Sequence, residues 1–268
     1  MKLINAPKKK LGQNFLIDQN IITKIINIAN FHNNKTILEI GSGYGSLTKK
    51  ILNMDTNKIL AVEKDTKLAF FLKEEFKNHK KIEMINDDIL NFFKKNTLSK
   101  NTIVFGNLPY NISTQILASL ILIDKWPPWY EILIFMLQKE VADRILAKKN
   151  SKEYGRLSVL CNWRLDIKKH FNVSKNCFYP RPKVDSTVLS FKPKKNFCYN
   201  LKNAKNLETV TRVLFSNRRK MINKNFSKLF KNDKTVAKNL NLNLNLRPEQ
   251  LSSEMFYKIA IKYEKLFN

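Results

Sequence analysis

Asn107, Leu108, Pro109 and Tyr110 form the segment of this chain best equipped for chemistry. The Asn107 side-chain oxygen and the Leu108 carbonyl are acceptors that can hold both hydrogens of an amino group. Pro109 fixes the backbone, and Tyr110 offers a ring on which a planar base can stack. This set suits an adenine flipped out of its stack with its exocyclic amine forward. The lone pair of that amine is delocalised into the ring, so attack on an electrophile requires both hydrogens to be held by acceptors that turn the pair outward.

Three other groups of residues fall at comparable places. Gly41, Gly43 and Gly45 lie in Glu39-Ile40-Gly41-Ser42-Gly43-Tyr44-Gly45, where glycines let a backbone approach a ligand and leave amides free. Glu63 ends the next apolar run, where its carboxylate could accept from both hydroxyls of a ribose; dinucleotide enzymes place an acidic residue similarly. The glycine spacing departs from G-x-G-x-x-G, which favours a nucleoside without a pyrophosphate. Asp87-Asp88 follows the third run, where Asp88 could accept from an adenine amino group with Ile89 against the ring. Either aspartate could instead cap the following helix.

The elements that must position these residues are legible as alternation. Short apolar runs predict strands at 36–40, 58–63, 82–86, 102–106 and 131–137; amphipathic stretches predict helices at 46–52, 66–76, 113–123 and 139–147. Asp18 caps a predicted helix reaching about residue 29. The pattern predicts a parallel sheet covered on both faces. A helical stretch at 156–163 then precedes runs at 166–171 and 187–191, which can complete seven strands with an antiparallel edge. Beyond a polar, basic stretch at 192–206 the periodicity is helical, as in Leu207, Val210, Val213 and Leu214. The expected domains are 1–195 and a small helical one, 196–268. Gly41, Glu63, Asp88 and Asn107 thus reach one edge of the sheet in strand order, and together they resemble a class I S-adenosylmethionine methyltransferase.

The chain has 268 residues, of which 43% are hydrophobic, enough for a full core. Its net charge of +27 favours a polyanion, nucleic acid before a membrane surface, although abundant Lys and Asn also fit a host with biased base composition. Residues 192–268 hold 18 basic and 5 acidic side chains, so the helical part is the more densely charged. The longest apolar stretch, 116–123, is too short to cross a bilayer, and residues 1–10 lack the apolar core of a secretion signal, so a cytoplasmic location is expected. Cys161, Cys177 and Cys198 show no paired spacing and His32, His79 and His170 are far apart, so neither disulfides nor a metal site is expected.

The wording of the motifs resembles the ribosomal RNA adenine dimethyltransferases, in the branch that modifies small-subunit RNA. The resemblance rests on Lys10 to Leu16, Leu38 to Gly45 and the Asn-Leu-Pro-Tyr-Asn-Ile-Ser-Thr run ending at Thr114. Phe135 to Arg144, Phe178 to Ser186, Asn217 to Lys220 and Arg247 to Ser252 also fit, whereas 192–206 departs from it. It implies a Rossmann-like fold with S-adenosylmethionine as methyl donor. It also implies two adjacent adenosines of the 3′-terminal hairpin loop of 16S RNA, in the small subunit or its precursor, as the target. Asn14, Leu16, Gly41, Glu63, Asp88 and Asn107 would then contact the cofactor or the amine, and Tyr110 and Phe178 would sandwich the base. Outside the resemblance Phe178 reads as a core aromatic. Arg218, Arg219 and Lys220 are candidate phosphate contacts, as are Lys8 to Lys10, and a monomer is expected. Rival readings are a resistance methyltransferase of large-subunit RNA, a DNA adenine methyltransferase, and an assembly factor that keeps the fold without the reaction. Leu108 and the 178–186 stretch lean toward the small-subunit branch.

Overall fold

The computed structural model describes residues 6–31, 35–96, 98–233 and 235–267. Residues 1–5, His32 and Asn268, which entered the sequence expectations above, lie outside the described residues, as does the side chain of Lys9. After β1 (Phe15–Leu16) and α1 (Gln19–Ile26), strand and helix alternate. The order is β2 (Thr36–Ile40), α2 (Ser46–Ile51), β3 (Lys58–Glu63), α3 (Thr66–Glu75), β4 (Ile82–Asn86), α4 (Ile89–Lys95), β5 (Thr102–Asn107), α5 (Ser113–Ile121), β6 (Tyr130–Gln138) and α6 (Lys139–Leu146). There follow α7 (Arg156–Arg164), β7 (Leu165–Val173), β8 (Phe178–Tyr179), β9 (Ser186–Pro193) and the helices α8 (Lys205–Leu214), α9 (Asn223–Leu229), α10 (Thr235–Asn239) and α11 (Ser253–Phe267).

Seven strands form one sheet in the order β4-β3-β2-β5-β6-β9-β7. The pairs β3–β4, β2–β3, β2–β5 and β5–β6 are parallel, and β9 runs antiparallel to β6. Parallel strands covered on both faces must be apolar throughout, which explains the uninterrupted Ile103, Val104 and Phe105, each at most 1% exposed. Strand order reverses beside β2, since β3 and β5 flank it on opposite sides. Such a point opens a crevice at the carboxyl ends of the strands. A second, two-stranded ribbon pairs β1 with β8 through Phe15↔Tyr179 and Leu16↔Phe178.

The chain divides into two compact units. The first holds residues 1–117, 128–142 and 167–193, and the second 118–127, 143–166 and 194–268. In the second, α8 turns Leu207, Val210 and Leu214 inward, and α11 buries Phe256, Ile259 and Ala260. The Tyr257 hydroxyl donates to the Val159 carbonyl at 2.9 Å, which satisfies a polar group taken into that core. Among the described residues no helix is long and apolar enough to cross a membrane, no group of His, Cys, Asp or Glu is placed to hold a metal ion, and Cys161, Cys177 and Cys198 are unpaired.

Candidate active site

The cleft at the carboxyl ends of β2, β3, β4 and β5 lies within the first unit. It is lined by Asn14, Gly41, Gly43, Glu63, Asp88, Ile89, Asn107, Leu108 and Tyr110, nine of the eleven residues singled out from the sequence. Leu16 and Phe178 are the other two. They face each other across the β1–β8 ribbon, each 3% exposed, and belong to the core cluster with Ile22, Phe105 and Val188. Their register explains the placement: alternate residues of a strand point to opposite sides, and Leu16 and Phe178 share the inward one.

The glycine turn has the geometry its composition implies. Gly41 and Gly43 adopt φ of +73° and +57°, a left-handed region that costs side-chain-bearing residues energy. A Cβ on Gly43 would sit 2.9 Å from Phe15 Cδ1, so a side chain here would also press on the Phe15 ring of β1. Beneath the turn, the fully buried Glu39 accepts a 2.5 Å hydrogen bond from Thr48 Oγ1 and so ties β2 to α2. Burial pushes its carboxyl up to about 8, and the neighbouring Glu63 charge adds to this against the Thr48 hydrogen bonds.

Glu63 has one oxygen on the Gly43 N–H at 2.9 Å and the other on the Asp65 N–H at 2.8 Å. Those bonds aim the carboxylate into the cleft and leave each oxygen a further lone pair. Burial raises its pKa, opposed by the two backbone donors. Asp88 is the cap of α4: Oδ1 accepts from the Leu90 N–H at 2.9 Å and Oδ2 pairs with Lys64 Nζ at 2.7 Å. Desolvation pushes its carboxyl up, but the Lys64 and Leu90 hydrogen bonds and the Lys64 charge outweigh it and the net shift is downward. An ionised acceptor therefore faces the cleft beside Ile89.

At the end of β5, Asn107 Nδ2 donates to the Asn14 carbonyl at 2.8 Å. A carbonyl only accepts, so the amide cannot be turned over, and Oδ1 is the end left for a ligand hydrogen. Tyr110 lines the same cleft while its hydroxyl bonds Ser186 Oγ at 2.8 Å, which fixes the ring from its far end. Burial raises the phenol pKa, the Ser186 bond opposing it. The residues missed from sequence hold the strap 8–14 in place: Lys8 and Gln13 bond Asp65, and Asn111 Nδ2 donates to the Lys10 carbonyl at 3.3 Å. The helix at 66–76 was predicted from its periodicity, but nothing in the spacing gives Asp65 a partner 57 residues earlier.

Of the basic residues, Lys8 is ion-paired with Asp65 at 2.9 Å. In the second unit Arg218 Nε pairs with Glu249 at 2.9 Å and its Nη2 donates to the Ser151 carbonyl at 3.1 Å. Arg219 and Lys220 line a groove there with Arg212, Lys224, Lys228 and Arg247, and no acidic residue shares its lining.

Comparison with known proteins agrees with this geometry. The chain is 48% identical over 259 residues to a protein of Pelagibacter ubique named ribosomal RNA small subunit methyltransferase A, covering 97% of each. Among solved structures it matches a dimethyladenosine transferase from Plasmodium falciparum with a TM-score of 0.76 at 26% identity, covering 93% of this chain and 97% of that one. The fold alone is shared with the 23S rRNA methyltransferase ErmE, at TM-score 0.66 and 21% identity over 94% and 99% of the two chains. The model of the family described as ribosomal RNA adenine dimethylase matches residues 4–265, nearly the whole length, and this chain belongs to that family.

Proposed function

We propose that the protein transfers methyl groups from S-adenosylmethionine to the exocyclic amines of two adjacent adenosines in the 3′-terminal hairpin loop of 16S RNA, acting as a cytoplasmic monomer during small-subunit biogenesis. The observation that carries this reading is the locked Asn107 amide, whose oxygen is the free acceptor in a cleft that also holds Glu63 and Asp88. The small-subunit target is supported by the name of the Pelagibacter ubique relative.

The cleft residues fit the cofactor. Glu63, with both oxygens aimed by backbone N–H groups, would accept from ribose hydroxyls, and the ionised Asp88 from the adenine amino group, with Ile89 on the ring. The turn at Gly41 and Gly43 leaves room where side chains would intrude, and Asn14 closes the cleft from the strap. When bound, the cofactor supplies an electrophilic methyl group on a sulfonium.

Asn107 Oδ1 and the Leu108 carbonyl would take the two amine hydrogens and turn the nitrogen lone pair outward. Tyr110 would stack on the adenine, whereas Phe178, expected from the resemblance as the second face of the sandwich, is packed in the core beneath the β1–β8 ribbon. Positioning of this kind is worth about 7 to 11 kcal/mol, so a strongly shifted acid or base is not required. The same carbonyl oxygens favour positive charge developing on the nitrogen. A hairpin loop suits such a site because its bases are already partly unstacked. Residues 196–268, with Arg219 and Lys220 exposed to solvent in a groove whose charged side chains are all basic, would hold the surrounding backbone.

The test incubates the protein with labelled cofactor and unmodified small subunits and maps the modified nucleotides. Dimethylation at the two adjacent loop adenosines is expected. Label at other nucleotides instead, or none at all, would refute the reading.

A further inference from the structure

Asp65 stands outside the cleft yet is bonded to both segments that frame it. Its backbone N–H donates to Glu63 Oε1 at 2.8 Å. Its side chain, 4% exposed, accepts from Lys8 Nζ at 2.9 Å on both oxygens. It also accepts from Gln13 Nε2 at 3.0 Å on Oδ2 and from the Lys67 N–H at 3.1 Å on Oδ1. Capping α3 needs only the last of these. Gln13 is held from its other end too, because its Oε1 accepts from the Lys8 N–H at 2.7 Å. One residue further on is Asn14, whose carbonyl orients Asn107.

We propose that Asp65 is a positioning residue for methyl transfer, latching strap 8–14 so that the Asn14 carbonyl keeps the Asn107 oxygen turned toward the target amine. Through its N–H the same residue aims Glu63, so one aspartate sets both the cofactor side and the amine side of the cleft. This rests on the reading of Asn107 given above. A carboxylate is required because every lone pair of Asp65 is used by a donor.

Asp65→Asn isolates the latch. Asn caps helices as well as Asp does, and the backbone N–H to Glu63 is unchanged. The new amide, however, sets a donor against Gln13 Nε2. Gln13 cannot turn over without setting its own amide against the Lys8 N–H. Adding Gln13→Glu restores the contact with its polarity reversed: the introduced amide donates to the introduced carboxylate, which still accepts from the Lys8 N–H.

The experiment measures single-turnover transfer to unmodified small subunits and the dissociation constant for S-adenosylhomocysteine in the wild type, Asp65→Asn and the double variant. Asp65→Asn is expected to slow transfer and weaken binding by about tenfold each in a protein that still unfolds cooperatively, and the double variant to recover most of both. Wild-type values in Asp65→Asn, or a double variant as impaired as the single one, overturn the proposal. If the wild type transfers nothing, the assigned function fails instead, and the dissociation constants still decide on the latch.

Discussion

Glu39 shows how a single residue ties the sheet to the helix after the glycine turn and what that costs. Its carboxyl lies at about 8 in the folded chain against 4.5 in the unfolded one, raised by burial, so between those values the folded state binds more protons. Stability contributed by this group therefore falls as pH rises through the window, by at most on the order of 5 kcal/mol. Glu39→Gln keeps an acceptor for Thr48 and removes the titration. Its advantage over the wild type in chemical denaturation should grow from pH 5 to pH 8, and a constant difference would contradict the assignment. Asp88 calls for a different pair of variants because it is both a cap and a candidate cofactor contact. Asp88→Ala should lose about 1 kcal/mol of stability, whereas Asp88→Asn keeps the cap. Both should weaken S-adenosylmethionine binding about tenfold by calorimetry, and undiminished affinity in both would remove the adenine contact.

The strands and the glycine turn are the elements on which the site depends, and they differ in how far sequence revealed them. Strands β2, β3 and β4 fall where their apolar runs predict, to the residue, because each run is followed at once by a glycine or a charged residue, Gly41, Lys64 and Asp87. The strand-end residues Gly41, Glu63, Asp88 and Asn107 were legible for the same reason. The β1–β8 ribbon was not: two residues per strand, paired across more than 160 positions, leave no periodicity to read. Phe178 was accordingly readable as a core aromatic, which it is, but its partner across that ribbon was not. The strap contacts of Lys8, Gln13 and Asn14 were hidden likewise, since hydrogen bonds at long sequence separation have no local signature. At the turn itself, Gly43→Ala should cost about 1 to 3 kcal/mol, because φ is +57° and Phe15 lies 2.9 Å from the added carbon. Urea denaturation unchanged from the wild type would mean that the Phe15 ring gives way more readily than its contacts indicate.

For the molecule as a whole, the charge of +27 bears on how the RNA is held. Affinity for small-subunit RNA should fall with salt, each phosphate contact adding about −0.7 to −0.9 to the slope of log affinity against log salt. Removing Arg219 and Lys220 together should make that slope shallower by about 1 to 2. Arg218→Ala should instead lower stability, since its guanidinium joins Glu249 to the Ser151 carbonyl. A salt-independent affinity would show that the basic groove does not meet RNA. The central claim is that the Asn107 oxygen, held forward by Asn14, grips the amine that is methylated. Single-turnover transfer to unmodified small subunits by Asn107→Ala, with S-adenosylmethionine affinity measured alongside, tests it most directly. A rate lowered about 100-fold or more with near-normal cofactor binding is the predicted result. A near-wild-type rate would contradict it.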